Sequence, residues 1–410
     1  PARDALAFLL AFTLLWVLRE RQLFGDSGLL MVWAKHSGEV FVFPDIGATL
    51  LLWLAAETGA ASGIWAEDIV RVASCAFGGL TLILLMRCAP YLAASTEGGP
   101  GSGRTGILVC LILSGGIARV FAGHIEVYPP LLAAIVAYLW LALAFLQGRA
   151  TWPAPCLALG VAGWVHAASV LLVPSLVALP FLVSPGPSRR EGLRRVAMGL
   201  AVAGLPLLAF VLLLLILGET ESLLVAWRKA LQVLGQDPDP DATRWWVRGW
   251  GGYPSIGTDV VFLSLSHLKY LANAFHLLSP IALPILVGFA LVAPRSLLAS
   301  GATRFLLIAA TPLVVYACLL RPFWGPYDWD LFSAAALCCA ALASHLLTTR
   351  VHFKELAGGL LAFQLLFVGG PFLALAPGAM RDAGPFMKGR FEFNLMLPRT
   401  EPPEEIAPWL

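Results

Sequence analysis

The sequence predicts an all-α polytopic membrane protein with about eleven transmembrane helices and long outer-face loops. Three observations predict it. Only 13% of the residues are charged against 59% hydrophobic, where a soluble domain carries about 25% charged residues. The mean hydropathy is +0.81. The apolar residues gather into runs close to the roughly 20 needed for a helix to cross about 30 Å of hydrocarbon. A length of 410 residues would otherwise suggest two or three soluble domains, and the charge deficit excludes that class along with disorder and coiled coil.

The expected spans are 5–18, 69–87, 106–121, 128–147, 154–166, 168–183, 196–217, 272–293, 304–320, 330–348 and 356–377. The short pair 154–166 and 168–183 reads either as two spans or as one kinked hairpin. Ala5 to Leu18 lacks a small-residue cleavage site and runs into Arg19, Glu20 and Arg21, so it reads as a retained helix and not a signal peptide. The chain begins at Pro1, and a few residues are expected upstream. Ile46 to Ala56 is too short to cross and reads as an interfacial or re-entrant helix. With that segment not crossing, the loops carrying Arg87 and Arg104, Arg149, Arg189 to Arg195, Arg295 and Arg304, and Arg350 and Lys354 share one side, as the positive-inside rule requires. The chain thus divides into a transmembrane module over 1–217 with a first outer loop at 19–68, an outer loop with an amphipathic segment at 218–271, C-terminal transmembrane helices at 272–377, and an outer-face tail at 378–410.

Other classes are set aside by the scarce polar residues. A net charge of +2 from 27 basic and 25 acidic residues implies no nucleic-acid partner. The seven cysteines lie in or beside apolar runs without CxxC spacing, which argues against a disulfide framework or a cysteine zinc site. Gly98 to Thr105 is one residue away from a phosphate-binding loop, but Arg104 replaces the lysine and membrane helices flank it, so it reads as a Gly/Ser hinge.

Ionisable groups at membrane helix ends are expensive near lipid and usually face a cavity or substrate path. Four outer-face clusters stand out. Phe24 to Ser27 contains Gly25-Asp26: the glycine permits close backbone approach and the aspartate offers a base or metal ligand, or else caps a helix. Arg119, His124, Glu126 and Tyr128 crowd a short linker, either as a functional group or as a local Arg119–Glu126 ion pair steadying a turn. Arg321, Tyr327, Asp328 and Asp330 surround aromatic residues that suit stacking on a sugar, with Arg321 suited to phosphate; the other reading is an aromatic belt with capping aspartates. The loop 218–271 holds an Asp237-to-Asp241 Asp-Pro repeat, which reads as a bent surface loop, and the run Arg244 to Trp250, which suits lipid headgroups. His166 is either a buried polar contact or a ligand, while His267 and His276 read as structural.

The order of these parts resembles the GT-C superfamily of membrane glycosyltransferases, in particular the bacterial branch similar to protein O-mannosyltransferases and aminoarabinose transferases. Gly25-Asp26 corresponds to the acidic motif after the first helix. Pro44 to Ala56 corresponds to the juxtamembrane helix, and Ile69 to Ser74, with Arg71, to the opening of the next span. Glu126 is the second acidic position. Gly160 to Pro174, with His166, corresponds to a glycine-rich short-helix pair, although the family often has Thr-Lys where this chain has Val165-His166. The resemblance covers roughly residues 1–230, and the Tyr327-to-Asp330 element matches no motif of the family.

The resemblance implies a sugar transfer from a polyprenyl-phosphate donor to a protein, lipid or glycan acceptor, on the periplasmic face of a bacterial inner membrane. Asp26 and Glu126 are then the catalytic candidates. His124, Arg119, Arg71, Arg321, Tyr327, Asp328, Asp330 and His166 are the substrate-binding candidates. A divalent cation such as Mg2+ or Mn2+ is an open possibility, with Asp26 and Glu126 as its ligands. Two non-enzyme readings stand beside this one: a non-catalytic scaffold subunit of a membrane complex, and a lipid or sugar transporter. The lack of internal repeats speaks against the transporter.

Overall fold

The computed structural model describes residues 2–20, 30–31, 46–93, 102–183, 186–216, 264–298, 300–319, 329–348 and 353–369. The described residues are helical or linking, with no strand among them. In chain order the α-helices are α1 (Ala2–Val17), α2 (Ile46–Ser62), α3 (Ala66–Ala93), α4 (Ser102–Leu113), α5 (Tyr128–Leu146), α6 (Pro153–Val165), α7 (Val173–Ala178), α8 (Arg189–Ile216), α9 (Leu265–Leu278), α10 (Ala282–Val292), α11 (Gly301–Leu319), α12 (Ser333–Thr348) and α13 (Phe353–Gln364). Tight 3-10 turns separate several of them, including Gly116–Phe121 between α4 and α5, and Trp329–Phe332 before α12.

Five of these helical segments are long and apolar enough to cross a membrane alone: Ala66–Ala93, Tyr128–Leu146, Arg189–Ile216, Gly301–Leu319 and Asp330–Thr348. A sixth counts if α9 and α10 form one broken span, for they bend by 111° at Ser279-Pro280. This is a multi-pass membrane protein, but eleven full spans are not confirmed. The expected span 106–121 stops as an α-helix at Leu113, where Ser114, Gly115 and Gly116 interrupt it. The stretch 168–183 is two 3-10 turns around the short α7, which places it with the shorter apolar helices.

Burial orders the bundle from inside to outside. The window of α12 is 94% buried and that of α5 78%, whereas that of α8 is 17% buried and turns its leucines outward. The reason for α12 is its run of Ala, Ser and Cys from Ser333 to Ala343, whose small side chains let neighbouring backbones approach closely. Helix α5 starts cleanly because Pro129 and Pro130 occupy its first turn, where no backbone N–H is needed.

The contacts define two ends. At one end, here the far end, Arg87 pairs with Asp4, Gln147 donates to the Tyr91 carbonyl, and Trp152 donates to the Arg195 carbonyl. His345 fastens the same end. Its Nδ1–H donates to the Leu92 carbonyl at 2.6 Å, and its Nε2 faces the Thr303 hydroxyl at 3.1 Å, joining α12 to α3 and α11. The arginine-rich helix starts and loops at 87, 149, 189–195 and 304 therefore gather at one end. Helix α2 does not reach it. Its first turn lies against Trp164 at the near end, and the Gly63 turn (φ 70°) leads straight into the start of α3.

His345→Ala removes two buried hydrogen bonds between three helices and should lower stability by about 1–3 kcal/mol. Thermal unfolding of the detergent-solubilised protein reads this directly.

Candidate functional site

The near end is built on a glycine. Gly123 has φ +67°, and a Cβ there would lie 2.7 Å from the Cβ of Arg19, so the linker after Phe121 can only press against the end of α1 without a side chain. Three further contacts hold this junction. The Glu20 N–H donates to the Ala122 carbonyl at 2.8 Å. The Ser74 hydroxyl donates to the Val120 carbonyl at 3.2 Å, which gives Ser74 of α3 a defined task. The ring of Phe121 packs where α1 and α3 meet, at Gly78.

The linker positions Arg119, His124 and Glu126, α1 delivers Glu20, and the turn Trp329–Phe332 delivers Asp330. That turn is fixed from its other side by Phe332, which meets Tyr270 and Phe275 edge-on at 5.6 and 6.4 Å. All five ionisable side chains are buried; Arg119 is 1% exposed and His124 2%. The imidazole of His124 lies between two carboxylates. Its Nδ1 is 2.7 Å from Glu20 Oε2, and its Nε2 is 3.2 Å from Asp330 Oδ2. The Arg119 guanidinium stands 3.8 Å from Glu20 Oε1. Burial alone disfavours the imidazolium. The charge of Glu20 and the hydrogen bonds to Asp330 and Glu20 outweigh it and push the His124 pKa up to about 10. Ligand atoms of His124, Glu126 and Asp330 all lie within 4.8 Å of one another, a spacing open to a shared cation.

Beside the cluster runs a cleft lined by Tyr128, His166, Leu313, Tyr316, Leu331 and Ala335, between the ends of α5, α6, α11 and α12. Tyr128 follows Glu126 by two residues and Leu331 follows Asp330 directly, so cleft and cluster share their walls.

The structure brings together Arg119, His124, Glu126 and Asp330 from two separate sequence clusters. Arg71 lies close by against Gly123, with its guanidinium 3.1 Å from Asp68. His166 lines the cleft, but its Nδ1 accepts the Ala168 N–H at 3.0 Å and caps the turn after α6, and its ring meets Tyr128 at 5.9 Å. His267 lies in the first turn of α9, where its backbone N–H donates to the capping Ser264 hydroxyl at 3.2 Å. Arg119 also approaches Glu20, a carboxylate from the end of α1, at 3.8 Å. Asp26, Arg321, Tyr327 and Asp328 lie outside the described residues. Glu20 was missed by sequence reasoning, because between Arg19 and Arg21 it reads as part of a basic flank. The signal available was a carboxylate directly after an apolar run.

Gly123→Ala should destabilise the protein by about 1–2 kcal/mol or more, from the left-handed backbone and the collision with Arg19. Gly163→Ala, whose Cβ meets nothing within 4 Å, is the control and should leave the unfolding temperature nearly unchanged.

No family model and no curated protein matches the chain. Among solved structures, the chain is similar to ArnT from Cupriavidus metallidurans, determined with undecaprenyl phosphate bound. The TM-score is 0.47 with 16% identity, over 84% of this chain and 59% of that one. The chain thus spans less than two thirds of that protein's length.

Proposed function

We propose that the chain is a glycosyltransferase that moves a sugar from a polyprenyl-phosphate donor to an acceptor at the outer face of the membrane. One observation carries this reading. Five ionisable side chains are buried together at one end of an apolar helix bundle, against a cleft with Tyr128, Tyr316 and His166 in its walls. Intramembrane-edge charge of this kind marks a substrate path. The ordered motifs from Gly25-Asp26 to His166 supply the reaction class.

In the reaction the acceptor hydroxyl oxygen attacks the anomeric carbon, the bond from that carbon to the phosphate oxygen breaks, and the phosphate leaves with the electron pair. The hydroxyl proton passes to Asp26. The leaving phosphate is already a stable anion, so it needs a cation more than an acid. Arg119 is fully buried near Glu20, whereas Arg71 is partly exposed beside the same linker and is the better placed of the two to meet phosphate. Arg321 is the further candidate. Glu126 and His124 position the acceptor, and Tyr327, Asp328 and Asp330 contact the sugar.

The complete burial of the network also favours a second reading, a non-catalytic scaffold in which the cluster is only a clasp between α1, the linker and α12. In proteoliposomes supplied with polyprenyl-phosphate sugars, Asp26→Asn should lower transfer by about 10²–10⁴-fold. Arg71→Ala should lower it by roughly 10²-fold if it meets the leaving phosphate. Full transfer by Asp26→Asn overturns the mechanism, and no transfer by the wild-type chain from any such donor leaves the clasp.

A further inference from the structure

We infer that the far end of the bundle carries a binding site for one anionic phospholipid, between the first turns of α8 and α11. Arg190, Arg194 and Arg304 hold the lipid phosphate there, and an acyl chain lies over Phe181 and Leu193. The site is at the opposite end from the His124 cluster, and the proposal does not rest on sugar transfer.

The first argument is how the fold gathers the arginines. Stretches far apart in sequence meet at the 3-10 turn Leu179–Leu182. Gly192 of α8 lies so close to the Phe181 ring that a Cβ there would collide with it, and a Cβ at Gly301 of α11 would lie 2.6 Å from the Leu182 carbonyl oxygen. Two helix starts therefore press on one turn, each through a glycine. Arg190 and Arg194 flank Gly192 at two residues on either side, and Arg304 follows Gly301 by three, about one helical turn. The positive-inside rule asks for basic loops on one side of the membrane. It does not require two arginine-bearing helix starts to share a turn.

The second argument is charge. On these elements Arg189, Arg190, Arg194, Arg195 and Arg304 share a single carboxylate, Glu191. It accepts from Arg195 Nε at 3.1 Å and stands 3.8 Å from Arg194. Arg189 and Arg190 are exposed and meet no carboxylate among the described residues, and the exposed Arg304 donates to the Ser300 carbonyl at 3.4 Å. Arg190 and Arg194 stand one turn apart, a like-charge spacing that weakens a helix, and cations at a helix start oppose the backbone dipole. A phosphate among them reverses both effects, and the planar guanidinium matches its oxygens two at a time.

The third argument separates a lipid from a free anion. Beside the arginines the surface is apolar, for Phe181 and Leu193 are both exposed, and α8 beyond them turns its leucines outward. Charge at the helix start with apolar side chains next to it reproduces the order of a phospholipid, headgroup and then acyl chain. Free phosphate would use the arginines and leave the apolar strip bare. A zwitterionic headgroup brings its own cation, so the surplus of arginine selects an anionic lipid. Basic pockets between membrane helices hold such headgroups.

The test uses the full chain, delipidated in a neutral detergent and reconstituted in phosphatidylcholine nanodiscs with increasing phosphatidylglycerol. Native mass spectrometry of the wild type should show one phosphatidylglycerol retained in preference to phosphatidylcholine, a reading independent of how any variant folds. The unfolding temperature should rise with the phosphatidylglycerol fraction. Arg190→Gln, Arg194→Gln and Arg304→Gln should each weaken retention about 5-fold, and all three together roughly 10²-fold, from the attraction of single arginines to an anionic headgroup. Arg3→Gln is the control, because Arg3 is exposed at the same end but on α1, which packs on α3. It should leave retention unchanged. Equal retention of phosphatidylcholine by the wild type overturns the proposal. So does an equal loss in Arg3→Gln, unchanged retention in the triple variant, displacement of the lipid by inorganic phosphate alone, or preferential retention of a polyprenyl phosphate by the same arginines.

Discussion

The imidazole of His124, held between Glu20 and Asp330, is the constraint on which the near end of the molecule depends. These carboxylates come from opposite ends of the described chain, one at the end of α1 and the other before α12. Their common partner sits on the linker between α4 and α5. Buried ionic groups are tolerated only when each finds its partners, and a network left half satisfied is worse than an apolar one. The surrounding backbone is arranged to meet that demand. Gly123 permits the close approach, the Glu20 N–H ties α1 to Ala122, and Ser74 ties α3 to Val120. Phe332, packed between Tyr270 and Phe275, keeps the Asp330 turn from moving away.

The far end is held differently. His345 bridges Leu92 and Thr303 through neutral hydrogen-bond partners, and Asp4 pairs with Arg87 at the surface. The described structure therefore has polar fastenings at both ends and a mostly apolar middle, crossed by the buried Tyr138–Ser175 hydrogen bond at 2.7 Å, in which the small residues of α12 allow close packing. Gln364 adds a fastening for α13, donating to the Leu111 carbonyl at 2.9 Å and facing the Ser114 hydroxyl, where α4 breaks.

Composition and hydropathy made the membrane class and the all-helical fold legible. The concentration of charge at Arg119–Glu126 and at Asp330 was legible as well, because charge is rare enough in this chain for its clusters to stand out. Their convergence was not legible, since nothing local in residues 119–126 points to residue 330. Glu20, which approaches Arg119 at 3.8 Å, was hidden by its basic neighbours. Span counting failed at the breaks. Hydropathy averages over Ser114 to Gly116 and over Ser279-Pro280, whereas the helix stops or turns there. Those glycines and that proline were the available signal, and run length outweighed them. His166 stayed ambiguous because the same side chain both caps a turn and lines the cleft.

The deep burial of α12 has a consequence for the order in which the molecule is made. The most enclosed helix, α12, is made after α1 to α11, so those helices enter the membrane around a space they cannot yet fill. Glu20 and His124 are both synthesised long before Asp330. Throughout that interval the nascent chain carries an incomplete ionic group at the membrane edge, where water or an insertion factor must shelter it. Arrival of residues 330–348 closes the packing and the His124–Asp330 contact in a single event, so cooperativity among the described helices waits for α12.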